Sequence, residues 1–189
     1  MKIVIVLFFA FCFVPKVCAQ DAMIEDGWKN IRPFVTNREQ VEKTLGKPQP
    51  STDKIYTVYP TPEGHVAVVY AGDPCAAAPG EKGDFNLAKN TVLSYIVSLA
   101  TPFPFSELKW KKDRYEQAED PHHLNVIDYY SRRDGVSITT GIIDGTRVVS
   151  GFRFEASPEQ RRSFRCNGAP VIKENEFYLS FPRNKVFGN

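Results

Sequence analysis

Two apolar spacings divide this chain: a spacing of four marks one short helix, and a spacing of two marks most of the chain beyond it. Val41 and Leu45 share a helix face within the segment from Val35 to Pro48. Ahead of them, Thr36 and Glu39 stand at capping-box spacing. The Thr36 hydroxyl is predicted to accept from the Glu39 amide, and the Glu39 side chain to reach back to the Thr36 amide. Gly46 supplies a positive φ to close the helix, and Pro48 prevents its continuation. The predicted helix runs from Asn37 to Leu45.

Beyond it the pattern is that of strands. His65 to Tyr70 is a compact β-rich run, and Leu93, Tyr95, Val97 and Leu99 alternate within Thr91 to Leu99. Those four side chains are expected on one face. The loop from Ala71 to Asn90 is rich in Gly, Pro and Ala and carries Cys75, with Phe85 and Leu87 as apolar pins. Val126 to Ser131, Val136 to Thr140 and Arg147 to Glu155 are punctuated by Asp134-Gly135 and Asp144-Gly145. Asp-Gly favours tight hairpin turns, so these runs predict a three-stranded antiparallel meander. On the last, Val148, Phe152 and Phe154 alternate with Arg153 and Glu155, which predicts one buried and one wet face.

Two segments stay open. Ser106 to Asp120 reads as a helix with Leu108 and Tyr115 seven apart, or Arg114 to Glu119 reads as an edge strand ahead of Pro121. Ser157 followed by Pro158 looks like a capped helix start leading towards Cys166. The tail from Val171 to Asn189 alternates through Phe177, Leu179 and Phe181, as a docked strand would.

The N-terminus changes the compartment. Lys2 precedes an unbroken apolar run from Ile3 to Val14, shorter than the roughly 20 residues of a membrane-spanning helix. Val17-Cys18-Ala19 places small residues where a signal peptidase needs them. Residues 1–19 are thus expected to be a signal peptide cleaved after Ala19. Cys18 invites a lipid-anchor reading, from which Lys16, two residues upstream, departs. No second apolar run approaches spanning length, and the expected location is the periplasm or the medium.

Removing Lys2 and Lys16 from 24 basic residues leaves 22 against 22 acidic ones. A neutral chain lacks the charge footprint of a nucleic-acid or anionic-lipid binder. Lys109, Lys111 and Lys112 cluster, as do Arg161, Arg162 and Arg165, but acids lie close to both groups. Of four cysteines, Cys75 and Cys166 survive cleavage, and an oxidising compartment pairs them most simply as a disulfide. Closing that loop would add about 4–5 kcal/mol in the chain-entropy account. The expected fold is one α+β domain over residues 20–170. In it an antiparallel sheet, a meander of about five strands, is packed by one or two short helices and held by one disulfide. Residues 171–189 form a separate tail.

Catalytic chemistry is thinly represented. The three histidines are His65, His122 and His123. A candidate polar site gathers Asp120, His122, His123 and Asp128, and would serve a metal or a general base. Neighbouring histidines on an extended chain point opposite ways, which works against both binding one ion. No Gly-x-Ser-x-Gly elbow or His-Glu-x-x-His is present, and no Gly-rich phosphate loop. No cofactor is implied.

Thr36, Val41, Leu45, Gly46 and Pro48 together resemble the helix motif of SmpA/OmlA (BamE-type) outer-membrane assembly lipoproteins. From about Gly27 to Cys166 the chain also resembles a group of uncharacterised secreted bacterial proteins. In these a Trp-x-x-Ile-x-Pro lead-in, here Trp28, Ile31 and Pro33, precedes the same helix, and two cysteines come after it. This resemblance implies a shape and no chemistry. The chain departs from the assembly lipoproteins in lacking a clean lipobox and in having more strands. The expected role is a non-catalytic protein-interaction module with a protein partner in the cell envelope. The alternative is an extracytoplasmic hydrolase or metal-binding protein built on His122 or His123.

Overall fold

A computed structural model describes residues 27–50, 55–76, 85–119 and 125–167. The expected signal peptide, Asp120, His122, His123 and the tail from Val171 to Asn189 lie outside these residues.

Among the described residues, seven strands form one antiparallel sheet: β1 (Thr57–Thr61), β2 (Gly64–Tyr70), β3 (Val92–Pro104), β4 (Glu116–Glu119), β5 (Ile127–Ser131), β6 (Val136–Ile143) and β7 (Thr146–Glu155). Their spatial order is β1-β2-β3-β7-β6-β5-β4. The last four strands make a meander that folds back to pair β7 with β3 at the centre of the sheet. Two short helices accompany it, α1 (Arg38–Leu45) and α2 (Pro158–Ser163). The fold is thus mostly sheet, with more strands than the five expected, and the α+β description fits only in part. Of the two extra strands, β1 contains Pro60, which cannot donate to a ladder and is tolerated because β1 is an edge. The other, β4, settles the open segment. No helix forms over Ser106 to Glu119 beyond single 3-10 turns at Phe105–Glu107 and Lys112–Arg114, which lead into the opposite edge.

Helix α1 begins one residue later than its sequence suggests. Asn37, not Thr36, is the cap: its side chain accepts from the Gln40 amide, and the Gln40 side chain accepts from the Asn37 amide. Thr36 is already engaged, because its hydroxyl accepts from the Arg32 amide at 2.8 Å and its carbonyl accepts from Val92. Glu39 stays exposed in the first turn, where its charge suits the helix dipole. Val41 is fully buried, Leu45 packs against the same core, and Gly46 closes the helix at φ 87°. At α2 the expected start is observed, with Ser157 as cap and Pro158 at the first turn.

Two β-bulges move side chains that strict alternation would place elsewhere. Val69 pairs with Ser94 and Tyr70 with Val92, so Leu93 is the unpaired residue. Leu93 therefore leaves the face of Tyr95 and Val97, and Val92 joins them in the main core. Likewise Val149, rather than Val148, joins Phe152 and Phe154 in that core, across a register shift opposite Thr139 and Thr140. The wet face expected of β7 is also dry at its end: Arg153 and Glu155 are buried, ion-paired to each other, and Glu155 meets Arg161 of α2 at 3.5 Å.

The disulfide Cys75–Cys166 is present, with its Cα atoms 5.7 Å apart. It joins the loop after β2 to the chain after α2, where Asn86 donates to the Phe164 carbonyl and Phe34 packs its ring against Phe85 at 4.8 Å.

Candidate docking surface

The main core lies on one face of the sheet, and two irregular segments cover it. The first runs from Trp28 through α1 and covers β1 to β3. Trp28 and Ile31 are buried there, and their backbone is fastened by the hydroxyl of Tyr95. That hydroxyl accepts from the Trp28 amide at 3.0 Å and donates to the Ile31 carbonyl at 2.8 Å. Gly27 is required beside it: a Cβ there would sit 2.4 Å from the Ile31 carbonyl oxygen. Further along, Phe34 donates to Val92 and Val92 donates to Thr36, so this cover is tied to β3 by backbone pairing. A second buried polar pair, Tyr59 and Tyr70, joins hydroxyls at 2.8 Å near α1, and Arg38 lies over the Tyr70 ring. Burial pushes the phenols of Tyr59, Tyr70 and Tyr95 above their ordinary range, so they remain neutral hydrogen-bonding groups.

The second cover is the connection from Phe105 to Tyr115, which lies over the β5–β7 half. Leu108 is its one buried residue. Around it stand four half-buried rings. Phe105 stacks on Tyr129 of β5 at 4.9 Å, and Trp110 meets Phe105 at 5.4 Å, Tyr129 at 5.1 Å and Tyr115 at 5.0 Å. Such ring pairs add about 0.5–1.5 kcal/mol each beyond area burial. The backbone hydrogen bonds of this segment are local turns, from Leu108 to Phe105, Arg114 to Lys111 and Tyr115 to Lys112. Lys109, Lys111 and Lys112 are exposed around the rings, and Arg114 reaches Asp134 at 4.0 Å. Strand register places Ile142, itself exposed, on the same face as Tyr129.

The sheet edges offer less. β4 is four residues long and acidic, while β1 carries Pro60 and has Gln49 donating to the Val58 carbonyl. Both are blunted against strand addition. Of the expected polar site, the described residues contain Asp128 alone, buried on β5 and paired across the ladder with Ala118 and Thr139. His65 sits at the start of β2, and burial holds its imidazole below the ordinary value. Among the described residues, no group of three or more His, Cys, Asp or Glu is arranged to hold a metal ion. Arg132, Tyr130 and Glu116 form a surface network, with the Tyr130 hydroxyl donating to Glu116 at 2.6 Å. It contains no nucleophile–base pairing.

The ring cluster was not anticipated from sequence. Its signal is Phe105, Trp110 and Tyr115 at intervals of five, a spacing that fits neither helix nor strand. Trp28, by contrast, is buried in the main core.

No protein-family model matches the chain, and no curated protein matches it. Among solved structures, a DUF4309 family protein (YjgB) from Bacillus subtilis is similar over 75% of this chain and 95% of its own, at 12% identity and a TM-score of 0.48. At that level the likeness carries no argument about function.

Proposed function

We propose that this protein is a non-catalytic, extracytoplasmic interaction module that docks a cell-envelope protein through the Phe105, Trp110, Tyr115 and Tyr129 rings. The observation that carries the reading is the half-buried state of four packed rings, three of them on a segment with one buried anchor and the fourth, Tyr129, on β5. Aromatic residues in that condition still have apolar surface to lose, and Trp and Tyr are enriched among the residues that dominate interfaces. Lys109, Lys111 and Lys112 frame the rings, so the complementary segment of the partner is apolar with acidic flanks. The signal-peptide pattern and the Cys75–Cys166 bond both support a location outside the cytoplasm. No helix among the described residues is long and apolar enough to cross a membrane.

The test places a photo-crosslinking residue at Lys112, with Lys43 on the exposed side of α1 as the control position, in protein expressed by its own host. A specific adduct from position 112, absent from position 43, names the partner. The purified partner is then titrated against the mature protein and against Trp110→Ala. The reading stands if the substitution weakens binding at least tenfold while circular dichroism is unchanged. It is abandoned if position 112 yields no specific adduct, or if the identified partner binds Trp110→Ala as tightly as the parent.

A further inference from the structure

The Cys75–Cys166 bond lies outside the main core, at the end of the sheet where β2 and β7 finish and β3 begins. It closes a small corner built on Phe34, Ala71, Leu87 and Ala156, with Phe85 and Leu93 packed against them. This cluster is separate from the core beneath the two covers. The bond is also open to solvent, because Cys75 is exposed and Cys166 only partly buried. Exposed disulfides, and those held on strained backbone, are the ones that exchange readily.

Little else holds the corner shut. Phe85 and Arg165 form an isolated bridge across it, beside which Asn86 donates to the Phe164 carbonyl at 2.7 Å. Cys75 donates to Phe85 only at 3.4 Å. The turns on either side, Ala76 to Asp73 and Arg165 to Arg162, are equally long at 3.4 Å. The other contacts are between rings: Phe34 meets Phe85 at 4.8 Å and Phe164 at 5.8 Å, and Phe164 is 38% exposed. Backbone conformation adds strain. Cys75 has φ 51° and Phe34 has φ 64°, left-handed values that disfavour a residue with a Cβ. Such conformations persist where the surrounding structure imposes them, and they gather at elements that switch.

We propose that Cys75–Cys166 is an exchangeable clasp, opened by a dithiol reductant, which frees this corner while the sheet and its main core stay folded. In the first step a thiolate of the reductant attacks Cys75 Sγ, the sulfur of the more exposed residue. The bond to Cys166 breaks, a mixed disulfide forms at Cys75, and the electron pair leaves on Cys166 Sγ, which takes up a proton. Arg162 and Arg165 belong to the same short segment as Cys166, and positive charge there favours the departing thiolate. In the second step the other thiolate of the reductant attacks the reductant's own sulfur in the mixed disulfide. Cys75 is released as a thiol and the reductant leaves as a disulfide. Two electrons thus pass from the dithiol to the protein, and a disulfide oxidant reverses both steps. The opened corner loosens Phe34, whose amide donates to Val92, and so reaches the first cover. The ring cluster starts at Phe105, past the other end of β3, and lies outside the corner. The clasp therefore does not depend on the docking reading.

The experiment treats the mature protein with dithiothreitol in the absence of denaturant and counts free thiols by alkylation at timed intervals. Their release is expected to be first order in dithiothreitol. Adding about 1 M urea should change its rate by less than about twofold, whereas a route through global unfolding would accelerate roughly tenfold or more. Glutathione, a monothiol, followed by rapid alkylation should leave its adduct on Cys75 and the alkyl label on Cys166. In the reduced chain the amide signals of Phe34, Asn86 and Phe164 should shift or broaden, while those of Tyr95, Val97 and Phe152 keep their positions. A chain carrying Cys75→Ser with Cys166→Ser should match the reduced protein in both sets. Thiol release that tracks global unfolding, loss of the core signals together with the corner, or an unchanged corner would each overturn the clasp. An adduct on Cys166 would overturn the order of attack.

Discussion

The two covers on the core face do the same geometric job by different means. Trp28 to Leu45 is held by polar bonds to buried groups: Tyr95 to Trp28 and Ile31, and Val92 to Phe34 and Thr36. Phe105 to Tyr115 packs through one buried leucine and a set of ring contacts, with Arg114 reaching Asp134 at 4.0 Å. Buried hydrogen bonds fix position, because an orphaned donor or acceptor is costly. Ring contacts tolerate small slides and leave surface unsatisfied. The first cover thus completes the core, whereas the second presents a surface. A half-buried aromatic cluster is better suited to meeting a partner than a fully buried one of the same composition.

The largest effect should come from breaking the first cover. Tyr95→Phe keeps the stacked ring against Phe154 but orphans the Trp28 amide and the Ile31 carbonyl. A loss of about 2–4 kcal/mol in denaturant unfolding is expected. Hydrogen exchange at Phe34 and Val92 should rise with it, while partner binding by the folded protein stays unchanged. Loss of binding with retained stability would reverse the roles assigned to the two covers. The second cover should behave in the opposite way. Trp110→Ala removes a half-buried ring, at an expected cost near 1–2 kcal/mol of stability, well below a core truncation, and at least tenfold in partner affinity.

Much of this arrangement is written locally and some of it is not. The helix α1, the Ser157–Pro158 start of α2 and the Asp144-Gly145 turn depend on nearby residues, and the cysteine pair, 91 positions apart, follows from there being two cysteines beyond the expected signal peptide; each was legible in the sequence. Leu93 and Val149 were misplaced because one extra residue in a bulge inverts the parity of everything beyond it. Burial of Arg153 and Glu155 was invisible for a different reason: their partner Arg161 comes from another element, and alternation alone reads charge as solvent-facing. The ring cluster combines Tyr129 with residues 105–115, and that contact is made only by the fold. The strand β1 was missed because Pro60 argues against a strand unless its edge position is already known.

A smaller effect should separate charge from ring contact within the second cover. Lys109→Glu with Lys112→Glu leaves every ring in place and reverses the exposed charge around them. Partner association is expected to slow severalfold at low ionic strength, with the difference shrinking as salt is added. Folding stability should move by less than about 0.5 kcal/mol. Slower dissociation, or a salt-independent defect, would mean that the lysines do not steer the encounter.

The smallest effect lies in the sheet beneath both covers. Burial lowers the folded-state pKa of His65 from 6.5, so the unfolded chain binds a proton more readily than the folded one. Stability contributed by its neutral form is present above pH 6.5 and is lost as pH falls from there to the folded value, then lost no further. The first cover has a separate window, because Lys29 lies 3.1 Å from Glu63 at the β1–β2 turn. Burial pushes the Glu63 carboxyl up, but Lys29 and the local hydrogen bonds outweigh it and leave the pKa below 4.5. That contribution holds above pH 4.5 and disappears as pH falls through the lowered value. The buried tyrosines of the first cover stay neutral throughout both windows. The difference in stability between the parent and His65→Asn, followed from about pH 7 to 4, should therefore change below 6.5 and level off. The corresponding difference for Glu63→Gln should change only below 4.5. If both differences change in one window, the cover and the sheet respond to acid as a unit, and the distinction drawn between them fails at its most sensitive point.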